Sequence, residues 1–518
     1  MTQKQTVVIS DIHMGTNEAT NWYQKDIHGP YLSHILNWIL DHRTDVDELI
    51  LLGDLFDFWT CAPDEKPPTA AQIVAANTEI LGPNGLLSEV LSALDGRVSY
   101  VHGNHDITTT QSDLAQIGNP TGPKIKLQPD IYVKNGVVYT HGHLFTMFNA
   151  PDAIQPLPVG HFVTRAVSYY LKKHGEKAAE EAGFGVPDMG YSGLKSVLES
   201  LRFPGVLKNL KSIANFSITH EFLDIIQKTT GLPDDYPIQL ERNLGTTTLA
   251  EVKSTYANLW SDWIKRYSDG EGLLRGFMFA YKAAWADANG SYLGWSAQQL
   301  AFQHRADLVV MGHTHVPKQG LVGDIANYIN SGFECVPRPD MGRDRMTYSV
   351  VTTENGAPIS SEVFALTQNG HGFTATNDRP PKADPGGSLA SDYSCYVTVE
   401  NKSDATLILE PRTIKNNWGY FSVIPPDKIA PKTSVKFWIQ DSPGIAGGDG
   451  EVTYRDESSA RKYHLNFACT TVNVPFNRNS CGGTDEFYSK AGSIHNKWGG
   501  RNKVAEKGHP LFVKFVVN

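Results

Sequence analysis

Five short polar clusters in this 518-residue chain hold residue types that ligate metals. They read Asp11-Ile12-His13, Gly53-Asp54-Leu55-Phe56-Asp57, Gly103-Asn104-His105-Asp106, His141-Gly142-His143 and Gly312-His313-Thr314-His315. Carboxylate, imidazole and amide oxygen form a borderline-hard donor set. It suits Mn, Fe or Zn, with Ni and Co as further candidates, rather than a thiolate site. The candidate ligands are Asp11, His13, Asp54, Asn104, His141, His313 and His315. This set serves two metals well only if one carboxylate bridges, and Asp54, in a tight turn after Gly53, is the natural choice. Two divalent ions about 3.5–4 Å apart can hold a hydroxide between them and neutralise a phosphoryl group during in-line displacement. A metal-bound water with its pKa lowered to about 7 supplies that hydroxide at neutral pH.

Each cluster sits at or just beyond a predicted strand. Val7 to Ser10, Leu49 to Leu52, Val98 to Val101 and Leu308 to Met311 are short apolar runs. Ile131 to Val133 and Val137 to Tyr139 flank Asn135-Gly136, a hairpin signal. Tyr31 to Asp41 has apolar residues at helical spacing, and strands alternating with helices predict an α/β layered sheet. Ligands bind beyond the carboxyl ends of strands in such sheets, so clusters far apart in sequence can converge there.

The clusters and their order closely resemble the calcineurin-like metallophosphoesterase superfamily across roughly residues 6–360. The resemblance implies a four-layer α/β/β/α sandwich. It implies one metal on Asp11, His13, Asp54 and His315, and a second on Asp54, Asn104, His141 and His313. His105, beside Asn104, would face the substrate and either stabilise the transition state or protonate the leaving oxygen. Asp106 would orient His105, as outer carboxylates often do. His143 would touch phosphate or support His141. Asp57 would hydrogen-bond a ligand, and Asn330-Ser331-Gly332 resembles the short turn that often follows the last motif. Gly53 to Trp59 also resembles the UDP-diacylglucosamine hydrolases. Those carry Arg where His105 stands, and His105 matches the general phosphatase and phosphodiesterase pattern.

Between His141 and His313 lies a helical insertion, residues 149–303, placed to act as a cap over the metals. Helices are expected over His161–Ala182, Leu194–Leu201, Leu249–Tyr267 and Gly272–Ala288. The catalytic domain is then 1–367, and breaker-rich 368–391 reads as a linker. Residues 392–518 are all strand and turn, predicting a β-sandwich. Val399–Ser403, Trp418-Gly419, Ile429–Pro431 and Gly447–Tyr454 resemble aegerolysin-type and actinoporin-like sandwiches, which implies contact with membrane lipid. Trp418, Tyr420, Phe421, Trp438 and Trp498 suit either a membrane interface or a core.

Lys and Arg number 46 against 55 Asp and Glu, a net charge of −9, which argues against general nucleic-acid binding. Five cysteines suggest a reducing compartment or at most one or two bridges, with Cys469 and Cys481 the expected pair on export. With neither a signal-peptide pattern nor a run of about 18 apolar residues, a cytoplasmic location is expected, with signal-less export the alternative. The sequence therefore reads as a dinuclear-metal phosphohydrolase. Its expected substrate is a phosphorylated small molecule or lipid, cleaved as a phosphomonoester or phosphodiester, of lipid-linked or nucleotide type. The alternative is a lipid-binding or membrane-active effector whose phosphoesterase domain is regulatory.

Overall fold

The computed structural model describes residues 3–151, 157–175, 218–268, 280, 283–284, 286, 293–321, 327–332, 345–370, 372–383, 392–440, 447–470 and 478–518. The chain divides into two compact units, Met1–Gly320 with Asn327–Ala383, and Leu321–Ala326 with Asp384–Asn518. Among the described residues, no helix is long and apolar enough to cross a membrane.

In the first unit the chain runs through β1 (Gln3–Ile9), β2 (Val46–Leu52), β3 (Val98–Val101), β4 (Lys126–Leu127), β5 (Tyr132–Lys134) and β6 (Val137–Tyr139). Two strands fall within the insertion, β7 (Pro237–Gln239) and β8 (Thr246–Thr248). Then follow β9 (Leu308–Met311), β10 (Lys318–Gln319), β11 (Asn327–Asn330), β12 (Arg345–Glu354), β13 (Ala357–Asn369) and β14 (Gly372–Asn377). One sheet has the order β14-β13-β12-β1-β2-β3-β4 and the other β10-β11-β9-β6-β5. The strands that lead into the polar clusters run parallel within each sheet: β1 with β2, β2 with β3, and β6 with β9.

The apolar runs are continuous because both faces of these strands are buried. Val7 and Ile9 pack with Leu32, Ile35, Leu36 and Ile39 of the helix Lys25–Asp41. Val8, between them in sequence, faces the other way. It joins Ile50, Leu52, Val101, Val310, Ile329 and Val351 in a cluster drawn from both sheets. The helix Leu293–His304 packs on β6 and β9. The result is the expected four layers. Asn135 and Gly136, with φ of 52° and 72°, turn β5 into β6 as that pair predicts.

The insertion builds a core of its own. Phe162, Val163 and Ala166 of the helix Val159–His174 meet Phe222, Leu223 and Ile226 of Ile218–Thr230, together with Trp260 and Trp263. The expected helix Leu249–Tyr267 is two helices, Leu249–Thr255 and Leu259–Ser268. A tertiary anchor breaks it: the Tyr256 hydroxyl bonds the Leu157 carbonyl and its ring is buried. Leu194–Leu201 and most of Gly272–Ala288 lie outside the described residues. The linker needs correcting too. Residues up to Asn377 complete the β13–β14 hairpin, register-paired from Phe364↔Asn377 to Asn369↔Gly372. The exposed pattern of β14 resembles a loop by composition, and only its pairing makes it a strand.

The second unit is a β-sandwich. One sheet pairs the strand Cys395–Asn401 with Thr433–Gln440 and Leu511–Val517. The other pairs Asp449–Asp456 with Lys462–Ala468, and Lys462–Ala468 with Ser480–Gly482. Val397, Val399, Phe437 and Phe515 meet Val452, Tyr454, Leu465 and Phe467 in one core. Cys469 and Cys481, the expected pair, are separate buried thiols. The ladder sets Cys481 opposite Phe467, so Cys469 falls beyond the paired residues.

The β7–β8 hairpin has no counterpart in the sequence reading. Its strands are three residues each, and its loop buries Glu241 to 2% exposure against the Thr108 hydroxyl. Burial pushes the Glu241 carboxyl up to about 7, overriding the Thr108, Trp59 and Arg242 groups that favour its charge. Its folded pKa exceeds its unfolded value, so its stabilising effect is full below the unfolded value of 4.5 and is lost as pH rises through 7. Glu241→Gln should therefore flatten the pH dependence of stability across that window and raise stability above pH 7, by up to about 3 kcal/mol. Urea unfolding at several pH values tests this, and an unchanged pH profile in the variant would refute it.

Candidate metal centre

The loops that follow β1 and β2 run side by side past the sheet. Asp11 N donates to Gly53 O at 3.1 Å, His13 N to Asp54 O at 2.7 Å, and Asp57 N to Met14 O at 2.8 Å. This pairing forces the side chains between the loops. Asp11, His13, Asp54, His313 and His315 all sit at positive φ, between 54° and 73°. A left-handed non-glycine residue costs about 1 kcal/mol or more, and clusters of them mark functional sites.

Three further links close the ring. Gly312 N donates to His141 O at 2.9 Å, and His313 N to Asp11 Oδ1 at 2.7 Å. Asp106 accepts from Gly103 N at 2.9 Å, Asp54 N at 3.3 Å and Phe56 N at 3.1 Å. The expected ligands thereby meet, with Asp11, His13, Asp54, Asn104 and His141 at 3% exposure or less and His315 at 7%.

His141 Nδ1 lies 2.8 Å from the Leu52 carbonyl, which only accepts, so Nδ1 carries the proton. Its Nε2 lone pair then faces Asp54 Oδ2 at 3.1 Å, Asn104 Oδ1 at 3.2 Å and Asp11 Oδ1 at 3.8 Å. His13 Nε2 approaches the same Asp54 Oδ2, at 3.6 Å, and lies 3.1 Å from His315 Nε2. Asp54 Oδ2 thus stands between two imidazoles, the place of a bridging carboxylate. Asp11 Oδ1 also reaches His315 Nε2, at 3.7 Å. Among the described residues, three triads have donor atoms close enough to share an ion: Asp11, His13 and His315; Asp11, Asp54 and His141; and His13, Asp57 and His105. His313 joins through Asn104, its Nδ1 2.9 Å from Oδ1. So many electron-rich atoms converging in a buried space repel one another unless cations lie among them. The residues present fit two divalent metals.

Charges follow the same logic. Burial opposes ionisation of Asp54, but His141 and His13 hold its carboxyl well below the usual range. Burial disfavours charge on His141, yet Asp54 and Asp11 raise its pKa to about 9 when no metal competes for its lone pair.

Several expected roles move. Asp106 was expected to orient His105, but its carboxylate is turned to backbone amides and holds the Gly53 and Gly103 loops together. Asp57 orients His105 instead, with Oδ1 3.0 Å from Nδ1, and its Oδ2 lies 3.6 Å from His13 Nδ1. Burial would raise the Asp57 pKa, but His105 and His13 hold it below the ordinary carboxylate range. His143 is buried beside His141, ring centroids 5.5 Å apart, and among the described residues neither of its nitrogens has a hydrogen-bond partner. Asn330 Nδ2 holds the Gly312 carbonyl at 2.6 Å, and Ser331 Oγ lies 3.1 Å from Ser10 Oγ, so the last turn braces the site. Two aromatic residues escaped the sequence reading as site components. Trp22 packs on His13, His105 and His315, and Trp59 stacks on His105 with ring centroids 4.2 Å apart. Tryptophan has no ligand spacing to betray it.

A calcineurin-like phosphoesterase family model matches residues 5–317. A search of curated proteins found no match. Solved structures with some likeness include a dimetal phosphatase from Danio rerio, at 9% identity and TM-score 0.26, covering 72% of this chain and 98% of that one. A second is the Plasmodium inner-membrane-complex anchor GAP50, at 12% identity and TM-score 0.28, covering 74% and 91%. A third is the lipid-binding protein Nakanori, at 10% identity and TM-score 0.17, covering 24% and 70%. At these scores the three carry no argument about activity.

Gly103 shows how little slack the centre has, because a Cβ there would collide with the Asp54 carboxylate and amide. A Cβ on Gly312 would stand 2.5 Å from Asp11 Oδ2. Gly103→Ala should therefore displace the bridging carboxylate and lower bound metal from about two ions per chain by at least half. Elemental analysis of the purified variant measures this, and full occupancy would contradict the bridging role of Asp54.

Proposed function

Because this chain belongs to the calcineurin-like phosphoesterase family, a family of metal-dependent hydrolases, we propose a specific division of labour among its residues. Asp11, His13, Asp54 and His315 hold one divalent ion, and Asp54, Asn104, His141 and His313 the other. The observation that carries this is the convergence of the His13 and His141 imidazoles on Asp54 Oδ2. When bound, such a pair supplies a nucleophile at neutral pH and offsets charge on the phosphoryl oxygens.

The other residues act on geometry and protons. Asp57 accepts from His105 Nδ1–H, which fixes the tautomer and leaves Nε2 as the working atom. Trp59 and Trp22 pack against the His105 ring and hold its plane. His105 Nε2 then meets the leaving oxygen or the developing phosphoryl charge. Asn104 is aimed by its own amide, which donates to Asn149 Oδ1 at 3.3 Å, so Oδ1 turns to the metal side. His143 reaches a phosphoryl oxygen or braces His141. Asp106 serves by holding two ligand loops together. The substrate is a phosphorylated small molecule or lipid, attacked at a mono- or diester, of lipid-linked or nucleotide type.

The test is turnover of para-nitrophenyl phosphate and its bis-ester with added Mn, Zn, Fe or Ni. Metal-dependent hydrolysis is expected, and the preferred ester separates mono- from diesterase. His105→Ala should keep its metal and lose about 10²–10⁴-fold in rate, the usual contribution of a positioned acid or base. Loss of metal from that variant would overturn the separation of roles. Absence of turnover on both esters by the metal-loaded protein would overturn the reading itself.

A lipid-directed role for the second unit rests on its exposed apolar groups. Trp418, Ile424 and Trp498 are about two-fifths exposed, whereas Trp438 and Phe421 are core. The Lys514 ammonium lies 5.6 Å from the Trp498 ring centroid, a pairing suited to an anionic lipid surface, whereas Lys490 is buried beneath the same ring. Trp498→Ala should reduce co-sedimentation with phosphatidylserine vesicles several-fold. Wild-type protein that stays in the supernatant would dispose of this role.

A further inference from the structure

Beside the metal centre, on the Trp59 side of His105, the insertion buries a set of polar side chains that the proposed hydrolysis does not use. His161 and Arg165 stand four residues apart on the helix Val159–His174 and so share one face. Both are fully buried. Among the described residues, His161 has no hydrogen-bond partner at either ring nitrogen, and Arg165 has none at Nε or Nη1. The remaining nitrogen, Nη2, donates to the carbonyls of Ala62, Pro63 and Glu65 at 2.7, 3.0 and 2.7 Å. That anchors the guanidinium without neutralising it. Among the described residues, no carboxylate forms an ion pair with Arg165.

Ring contacts connect this pair to the reaction. The His161 and Trp59 rings meet in a T-shape with centroids 5.4 Å apart, and Trp59 also stacks on His105. Glu241 closes the group from the hairpin. It is hydrogen-bonded to Thr108, in the loop that carries Asn104 and His105. Gln239 N, on the same hairpin, donates to the Pro63 carbonyl at 2.7 Å. The insertion, the Trp59 loop and the His105 loop thus meet around one buried cation.

Glu241, Glu65 and Asp64 favour its charge from a distance, yet a buried guanidinium with free donors and no carboxylate in contact among the described residues is unfavourable unless something acidic or wet lies beside it. Trp59 links His161, on the same helix face as Arg165, to His105, and that link says what the occupant is. In the reading above His105 Nε2 meets the leaving oxygen, so the leaving group extends along Trp59 toward His161 and Arg165. We propose that His161 and Arg165 form a leaving-group subsite that takes a second phosphate carried by the substrate. The protein would then prefer bisphosphorylated compounds, the nearer phosphate at the metals and the farther one on Arg165. Glu241, with its carboxyl pushed up to about 7 by burial, is largely protonated in mildly acidic solution and adds a donor there rather than a second negative charge. This subsite rests on the phosphoesterase reading above.

The experiment compares two esters that differ by one phosphate, n-propyl phosphate and propane-1,3-diol bisphosphate, on the metal-loaded full chain. The wild type should favour the bisphosphate by about tenfold or more in kcat/KM, the effect of a charge-assisted hydrogen bond. Most of that preference should lie in KM. Arg165→Met should bring the ratio close to one, and Arg165→Lys should leave it in between. Because Arg165 also holds three carbonyls, His161→Leu provides an independent variant, expected to lower the same ratio several-fold if the Arg165 variants fail to fold. A wild-type ratio near one would overturn the subsite, as would a ratio retained in the folded variants. Failure of the wild type to hydrolyse either ester with metal present would instead sink the phosphoesterase reading.

Discussion

A lone pair on a buried imidazole, pointed at carboxylate and amide oxygens, is repelled by everything in front of it. His141 is in that position, because the Leu52 carbonyl claims its other nitrogen. His13 approaches the same Asp54 oxygen at 3.6 Å. Only positive charge among these atoms makes the arrangement favourable. The rest of the first unit can be understood as the apparatus that keeps the donors from turning away. Left-handed residues, paired loop backbones and carboxylates tied to amides each remove an escape route. The backbone strain at Asp11, His13, Asp54, His313 and His315 amounts to several kcal/mol together, and it persists because the neighbouring loops over-determine it.

The two sheets divide the proposed ligands between them. β1, β2 and β3 deliver Asp11, His13, Asp54 and Asn104, while β6 and β9 deliver His141, His313 and His315. Stacked sheets stand about 10 Å apart. Loops of a few residues from each can cover half that distance, so the ligands meet above the seam. The seam itself is packed with Val8, Ile50, Leu52, Val310 and Ile329, which fix the spacing between the two sets of loops. Packing deep in the core thereby sets a distance in the metal centre.

Most of this was legible in the sequence, for a definite reason. Each ligand follows an apolar run with strand periodicity, and strand ends are where a parallel sheet places its chemistry. All seven expected ligands converge. What was not legible depended on three-dimensional closure. Asp106 neighbours His105 in the chain, but consecutive side chains diverge, and the carboxylate that reaches the ring is Asp57, 48 residues away. Trp22 and Trp59 carry no ligand spacing and become part of the site only by packing. The β7–β8 hairpin is too short and too polar to announce itself. β14 has the composition of a linker and becomes a strand only against β13. The break at Tyr256 is imposed by a hydroxyl reaching a carbonyl 99 residues away, which no local propensity encodes.

His13 and His315 are 302 residues apart in the chain, yet their imidazole nitrogens stand 3.1 Å from each other. A growing chain cannot own this site until β9 and the loop after it have been made and the whole insertion has been set aside. Contacts of such separation form late in folding, since loop closure must precede any reward for making them. Until then Asp11, His13 and Asp54 are an incomplete set of donors on a half-built sheet. Metal capture and folding of the first unit are therefore coupled. The free energy of coordination counts as folding free energy, drawing together loops from both sheets of the layered core.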